Sequence, residues 1–115
     1  MKLAIIGSRT FTDSNKAWEV FKTLPFYNQV THIVSGGAKG ADSIAELLAK
    51  WSGKEMIVHY PDWDKYGKQA GFIRNKLIIN DSDCVLAFWD LKSKGTLNSI
   101  TLATKKGIPV HIKRI

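Results

Sequence analysis

Apolar residues fall along the chain in two alternating signatures. Short continuous runs, "LAIIG" (3–7), "THIVSG" (31–36), "EMIVHY" (55–60), "DCVLAFW" (83–89) and the apolar part of "IPVHIKRI" (108–115), read as buried strands. Between them the spacing changes to that of amphipathic helices. In "TDSNKAWEVFKTL", Ala17, Val20, Phe21 and Leu24 recur at i, i+3, i+4 and i+7, with Thr12 or Asp13 as the cap and Pro25 as the stop. In "ADSIAELLAKW", Ala41, Ile44, Ala45 and Leu48 share one face and Gly53 ends the helix. "PDWDKYGKQ" is polar and aromatic and reads as a loop. "AGFIRNKLIIN" reads as a helix with Ala70, Ile73 and Leu77 turned inward. "TLNSITLATKKG" reads as a helix capped by Thr96 and stopped by Gly107.

Strands alternating with helices imply an α/β fold, a parallel sheet covered on both faces. Right-handed crossovers make it a single Rossmann-like, doubly wound domain over residues 1–115, five strands in the expected order 3-2-1-4-5. The run 83–89 is the most continuously apolar, so it is expected at the centre. Pro109 places the last strand at an edge.

Composition sharpens this only in part. Hydrophobic residues make up 44% of the 115, enough for a packed core, and no apolar run nears the roughly 20 residues of a membrane span. The single cysteine, Cys84, lies in an apolar run and reads as an inert buried thiol. With no signal-peptide core at the start, a cytoplasmic setting and no membrane partner are expected. The net charge of +7 favours an anionic partner: nucleic acid, nucleotide or phosphate.

The candidate chemistry lies in the segments that follow strands. In a doubly wound sheet those segments share one rim, and ligands bind there. After the first strand come Gly7, Ser8 and Arg9, whose guanidinium suits a phosphate or carboxylate. After the second come Ser35, Gly36, Gly37, Lys39, Gly40 and Asp42. Bare glycines admit close approach, the helix start favours an anion, and Asp42 suits the helix dipole or a ribose hydroxyl. After the third come Asp62, Trp63, Tyr66, Arg74 and Asn75. After the fourth come Trp89, Ser93, Lys94, Gly95 and Thr96, a second small basic helix start. Trp63, Tyr66 and Trp89 are candidates to stack on a base. Neither G-x-G-x-x-G nor G-x-x-x-x-G-K-[ST] is present.

Five pieces, "GSRTF" (7–11), "SGGAKGAD" (35–42), "DW" (62–63), "AGFIRNK" (70–76) and "KSKGT" (92–96), resemble in this order the SLOG superfamily. Within it they resemble the small stand-alone, YspA-like branch of YpsA-related proteins. The resemblance implies a Rossmann-like domain that binds a nucleotide or nucleotide-derived ligand at the rim. "GSR", "GGAKGAD" and "RNKLI" also resemble the DNA-processing protein of natural transformation, whose similar domain binds single-stranded DNA. The phosphoribohydrolases of the superfamily carry P-G-G-x-G-T-x-x-E. In "LKSKGTLNS" Gly95 and Thr96 match, but Ser99 stands in place of the glutamate.

Other routes to catalysis are thinly marked. Asp42, Asp62, Asp64 and Asp90 can reach the rim without a spacing that marks a pair, and His59 is the histidine nearest to it. Zinc-type ligand spacing and a G-x-S-x-G elbow are absent from the sequence, and no metal site is expected. Mg²⁺ carried in by a phosphate ligand is the one cofactor left open. Three functions follow: a nucleotide sensor or sequestering protein, a nucleotide-processing enzyme, or a single-stranded nucleic-acid binder. A homodimer is expected, because a domain of this size leaves apolar helix faces uncovered.

Overall fold

The computed structural model describes residues 1–37 and 40–115. Strand β1 (Lys2–Gly7) leads to helix α1 (Ser14–Lys22), β2 (His32–Ser35), α2 (Ala41–Ser52) and β3 (Glu55–Val58). A short helix α3 (Trp63–Tyr66) and a 3₁₀ turn (Gly67–Gln69) precede α4 (Ala70–Asn80), β4 (Cys84–Trp89), α5 (Lys94–Lys106) and β5 (Val110–Arg114). All strand pairs are parallel, and the five-stranded order is β3-β2-β1-β4-β5. This is the doubly wound α/β domain expected from the alternating pattern.

The pleat divides the core in two. Leu3, Ile5, Ile33, Leu86 and Phe88 point to one face, where α1 supplies Ala17 and Phe21 and α2 supplies Ile44, Ala45 and Leu48. Ala4, Ile6, Val34, Val85 and Ala87 point to the other, against Ile78 and Ile79 of α4 and Ile100 and Ala103 of α5. Phe11 stacks on Phe88 with ring centroids 4.7 Å apart, which ties the segment after β1 to the end of β4. Cys84 is buried, and burial pushes its thiol up to about 11.

Several local expectations are corrected. Strand β1 occupies the middle, as the expected order places it, and β4 is an inner strand beside it. Flanked by β1 and β5 and covered on both faces, β4 carries the same continuous apolar run that a middle strand would. The stretch read as a loop holds α3, because the Asp62 carboxylate accepts from the Lys65 amide at 3.1 Å and caps a single turn. In α5 the cap is Ser93, whose hydroxyl accepts from the Thr96 amide, so Thr96 lies inside the helix and is buried. In α4 the inward residues are Ala70, Asn75, Ile78 and Ile79, while Leu77 is exposed. Strand β3 stops at Val58, short of Tyr60.

Among the described residues no helix is long and apolar enough to cross a membrane. His59 is turned away from the rim chemistry: its Nε2 lies 3.0 Å from Asp81, whose other carboxylate oxygen accepts from the Lys2 ammonium at 2.7 Å. The hydrogen bonds from Lys2 and then His59 hold the Asp81 carboxyl below the ordinary carboxylate range.

Candidate functional site

The sheet order reverses between β1 and β4, because β1 is followed in space by β2 on one side and β4 on the other. Beyond the carboxyl ends of these two strands such a reversal opens a crevice. Here it holds a cavity of about 100 Å³ lined by Gly7, Arg9, Asp42, Arg74, Asn75, Ser93, Gly95 and Thr96, with Ile6, Ile78 and Ser99 as its floor and wall. Segments after each of the first four strands contribute: the end of β1 with Arg9, the start of α2, the first half of α4 and the start of α5.

Close backbone approach draws these segments together. A side chain on Gly7 would collide with the Phe88 carbonyl and with Ala41 Cβ, so only glycine lets β1, β4 and the start of α2 meet here. Gly40, at φ 75°, sits on the Arg9 backbone and turns the chain into α2. The Ser8 carbonyl receives the Ala41 amide at 3.4 Å and the Phe11 amide at 3.1 Å, fixing the loop that carries Arg9. Arg9 itself is exposed at the cavity mouth.

Arg74 is the side chain around which the site is arranged. Its Nη1 donates to the Gly36 carbonyl at 2.6 Å and its Nε to Asn75 Oδ1 at 3.1 Å. The Asn75 amide in turn donates to Asn98 Oδ1 at 3.1 Å, linking α4 to α5 across the cavity wall. Burial pushes the Arg74 guanidinium below its ordinary value, Asp42 opposes that shift, and the like charge of Arg9 adds to it. Arginine stays charged in proteins, so two cations converge on one cavity with a single carboxylate among its lining residues.

The other wall is the start of α5. The Asp90 carboxylate accepts from the Lys92 and Ser93 amides, each at 2.8 Å, and these bonds hold it below the ordinary carboxylate range. Leu91 adopts φ 67°, a left-handed conformation that a branched side chain disfavours, in the middle of this turn. Ser93 and Thr96 hydroxyls lie 3.0 Å apart at the helix start. Of the first-turn amides of α5, the Ser93 hydroxyl takes that of Thr96, while those of Lys94 and Gly95 have no intrahelical acceptor, and the positive end of the helix lies at the cavity that Gly95 and Thr96 line.

The sequence-predicted residues therefore divide. Gly7, Arg9, Asp42, Arg74, Asn75, Ser93, Gly95 and Thr96 come together. Ser8 is buried behind the wall, where its hydroxyl receives the Asp90 amide at 3.4 Å. Ser35 is fully buried, and its hydroxyl finds no partner among the described residues. Gly36 and Gly37 meet the side chains of Arg74 and Tyr60 rather than the cavity. Asp62 caps α3, and Lys94 is exposed outside the lining. Trp89 is committed to the fold, its indole N–H donating to the Ser93 carbonyl at 3.1 Å and its ring packed on the α4/α5 core. Lys39 lies outside the described residues.

Ile6, Ile78 and Asn98 carried no signal in the sequence, being ordinary apolar or polar positions. Ser99 carried one, since it occupies the glutamate position of the phosphoribohydrolase motif, and it does line the cavity.

Fold and crevice together define a Rossmann-like domain with a polar, cationic cavity at its topological switch point. The sequence profile of the YspA, cpYpsA-related SLOG family matches residues 1–66, and the chain belongs to that family. It is 34% identical over 119 residues to the Gene 61 protein of Mycobacterium phage D29, covering 95% of this chain and 93% of that one. Its fold is that of DNA processing protein A (DprA) from Streptococcus pneumoniae, with a TM-score of 0.79 at 22% identity over 96% of this chain. It also superposes on DNA processing protein A from Helicobacter pylori, described for its single-stranded DNA binding mode, with a TM-score of 0.74 at 26% identity over 97% of this chain. The chain spans 49% of the first of these structures and 64% of the second.

Proposed function

We propose that the switch-point cavity binds a phosphate-bearing nucleotide, and that the protein acts as a sensor or sequestering protein for it. The observation that carries this reading is the convergence of Arg9 and Arg74 with the start of α5 on one cavity. Guanidinium donors and the helix-start amides that the Ser93 cap leaves open are complementary to a phosphate, and an anion between the two arginines relieves their mutual repulsion. Asp42 and Asn75 offer acceptor and amide groups for the sugar or base. A cavity of about 100 Å³ is smaller than a typical ligand pocket, so it takes the phosphate end and leaves the base near its mouth. Binding without turnover fits the walls: N-glycoside hydrolysis wants two placed carboxylates, whereas one carboxylate lines the cavity and Ser99 fills the glutamate position.

Single-stranded DNA binding is a second reading. The likeness to the Helicobacter pylori protein and the net charge of +7 favour it. The two separate by salt. With AMP as probe, the melting temperature rises in step with ligand concentration, worth about 2.7 kcal/mol at a hundredfold excess over Kd, and the AMP is recovered intact. Affinity for AMP then declines gently with salt. A dT12 strand that binds more tightly than AMP, with affinity falling steeply and linearly in log salt, would instead favour the DNA reading. Arg9→Ala provides the control: it weakens AMP binding while stability stays within about 0.5 kcal/mol, as for other exposed positions.

A further inference from the structure

We propose that Tyr60 and Trp63 form a nucleobase platform beside Arg74, so that the site recognises the base by stacking rather than by edge hydrogen bonds. The proposal rests on the nucleotide reading of the cavity and adds where the base goes.

Three glycines map the arrangement. The Arg74 side chain fills the space a Gly36 side chain would occupy, with Nη1 2.6 Å and Cζ 2.9 Å from the Cβ position. The Tyr60 ring fills the corresponding space at the next residue, Gly37, with Cε1 2.5 Å away. On the other flank, the Cβ position of Gly71 lies 3.7 Å from Trp63 Cη2 and 4.0 Å from Arg74 Nη2. Tyr60 therefore neighbours the Arg74 side chain across Gly36 and Gly37, and Trp63 neighbours it across Gly71.

Both rings are open. Tyr60 is 68% and Trp63 53% exposed, and among the described residues neither enters a ring pair or donates a side-chain hydrogen bond. Three other large aromatics near the rim are spoken for, while Phe72 in the first turn of α4 stands in solvent. Trp89 donates to Ser93, Phe11 is buried on Phe88, and Lys65 lies over the Tyr66 ring, 5.1 Å from its centroid. Exposed single aromatics are common on surfaces, but two that neighbour a cavity-lining cation are placed to meet the base of a nucleotide whose phosphate that cation anchors. Every base has a π-face, so such a platform tolerates base identity and adds affinity for any of them.

The test compares AMP with ribose 5-phosphate by equilibrium binding. The wild-type protein binds AMP more tightly by about 5- to 150-fold, the range a stacked base contributes. Tyr60→Ala and Trp63→Ala each shrink that ratio, mainly through weaker AMP binding, and leave ribose 5-phosphate unchanged. Tyr60→Phe and Trp63→Phe retain it, because a phenyl ring still stacks. Alanine variants that keep the wild-type ratio overturn the platform while the phosphate site stands. A wild-type protein that binds neither probe overturns the nucleotide reading and the platform with it.

Discussion

Helices α2 and α4 both start at the rim and both border the cavity, yet they are built differently. In α2 the buried residues Ala41, Ile44, Ala45, Leu48 and Ala49 form one apolar stripe, and Asp42 alone reaches the cavity. In α4 the inward side carries Asn75 among Ala70, Ile78 and Ile79, with Arg74 beside it in the wall, while Phe72 and Leu77 face solvent. The first helix is patterned for packing. The second gives up part of its apolar face to hold a charged and an amide side chain inside the fold. The difference teaches where to look in such domains: the helix whose pattern is poorest is the one that bears the site.

Substitutions can break or sharpen this contrast. The largest stability loss belongs to α2: Leu48→Ala, at a fully buried position, costs about 2–5 kcal/mol by urea denaturation. A loss under about 1 kcal/mol would mean that α2 is not the packing helix described. Arg74→Ala comes next, with a mixed signature. Removing the bond to the Gly36 carbonyl costs about 1–2 kcal/mol of stability, and AMP affinity per folded molecule drops about tenfold or more. Unfolding with unchanged affinity would reduce Arg74 to a brace.

Asp81, at the far end of α4, has a smaller effect with a pH signature. Its folded pKa is depressed by Lys2 and His59, so the stability it adds is fully present above the unfolded carboxylate range near pH 4. It is lost as pH falls below that range through the folded value. Asp81→Asn costs about 0.5–1 kcal/mol at pH 7 and flattens the acid limb of the stability curve; an unchanged limb would show that another carboxylate governs it. The smallest change is expected at Leu77→Gln, within about 0.5 kcal/mol, because Leu77 is exposed despite its apolar character. A large loss there would restore the inward face that the sequence suggests for α4.

What could be read from the sequence follows the same division. The fold class was legible because each βα unit shows its own period; the strand order is not written in that pattern, and the observed β3-β2-β1-β4-β5 agrees with the order expected of a doubly wound sheet. The α1 and α2 stripes, the Gly53 and Gly107 stops, and the convergence of Arg9, Asp42, Arg74, Asn75, Ser93, Gly95 and Thr96 were legible too. The inward face of α4 was legible only at Ala70, because Ile73 and Leu77 are more apolar than the Asn75 that the true face contains. Ser93 and Thr96 are both good caps three residues apart, and only the hydroxyl geometry picks Ser93. One capped turn at 63–66 is too short to show a period. Trp89 and Trp63 have the same side chain, and sequence does not tell the ring that donates to a neighbouring carbonyl from the ring that stands in solvent. Ser35 looked like part of the glycine loop, yet the strand pleat turns it into the interior.

The central claim is tested most directly by titrating AMP into isotope-labelled protein and following amide and side-chain amide resonances. The account predicts shifts clustered at Gly7, Asp42, Gly95, Thr96 and the Asn75 side chain, with none at Lys105 and Lys106 at the far end of α5. Saturable shifts centred on Lys105, Lys106 or another surface, with the switch-point residues silent, would contradict it.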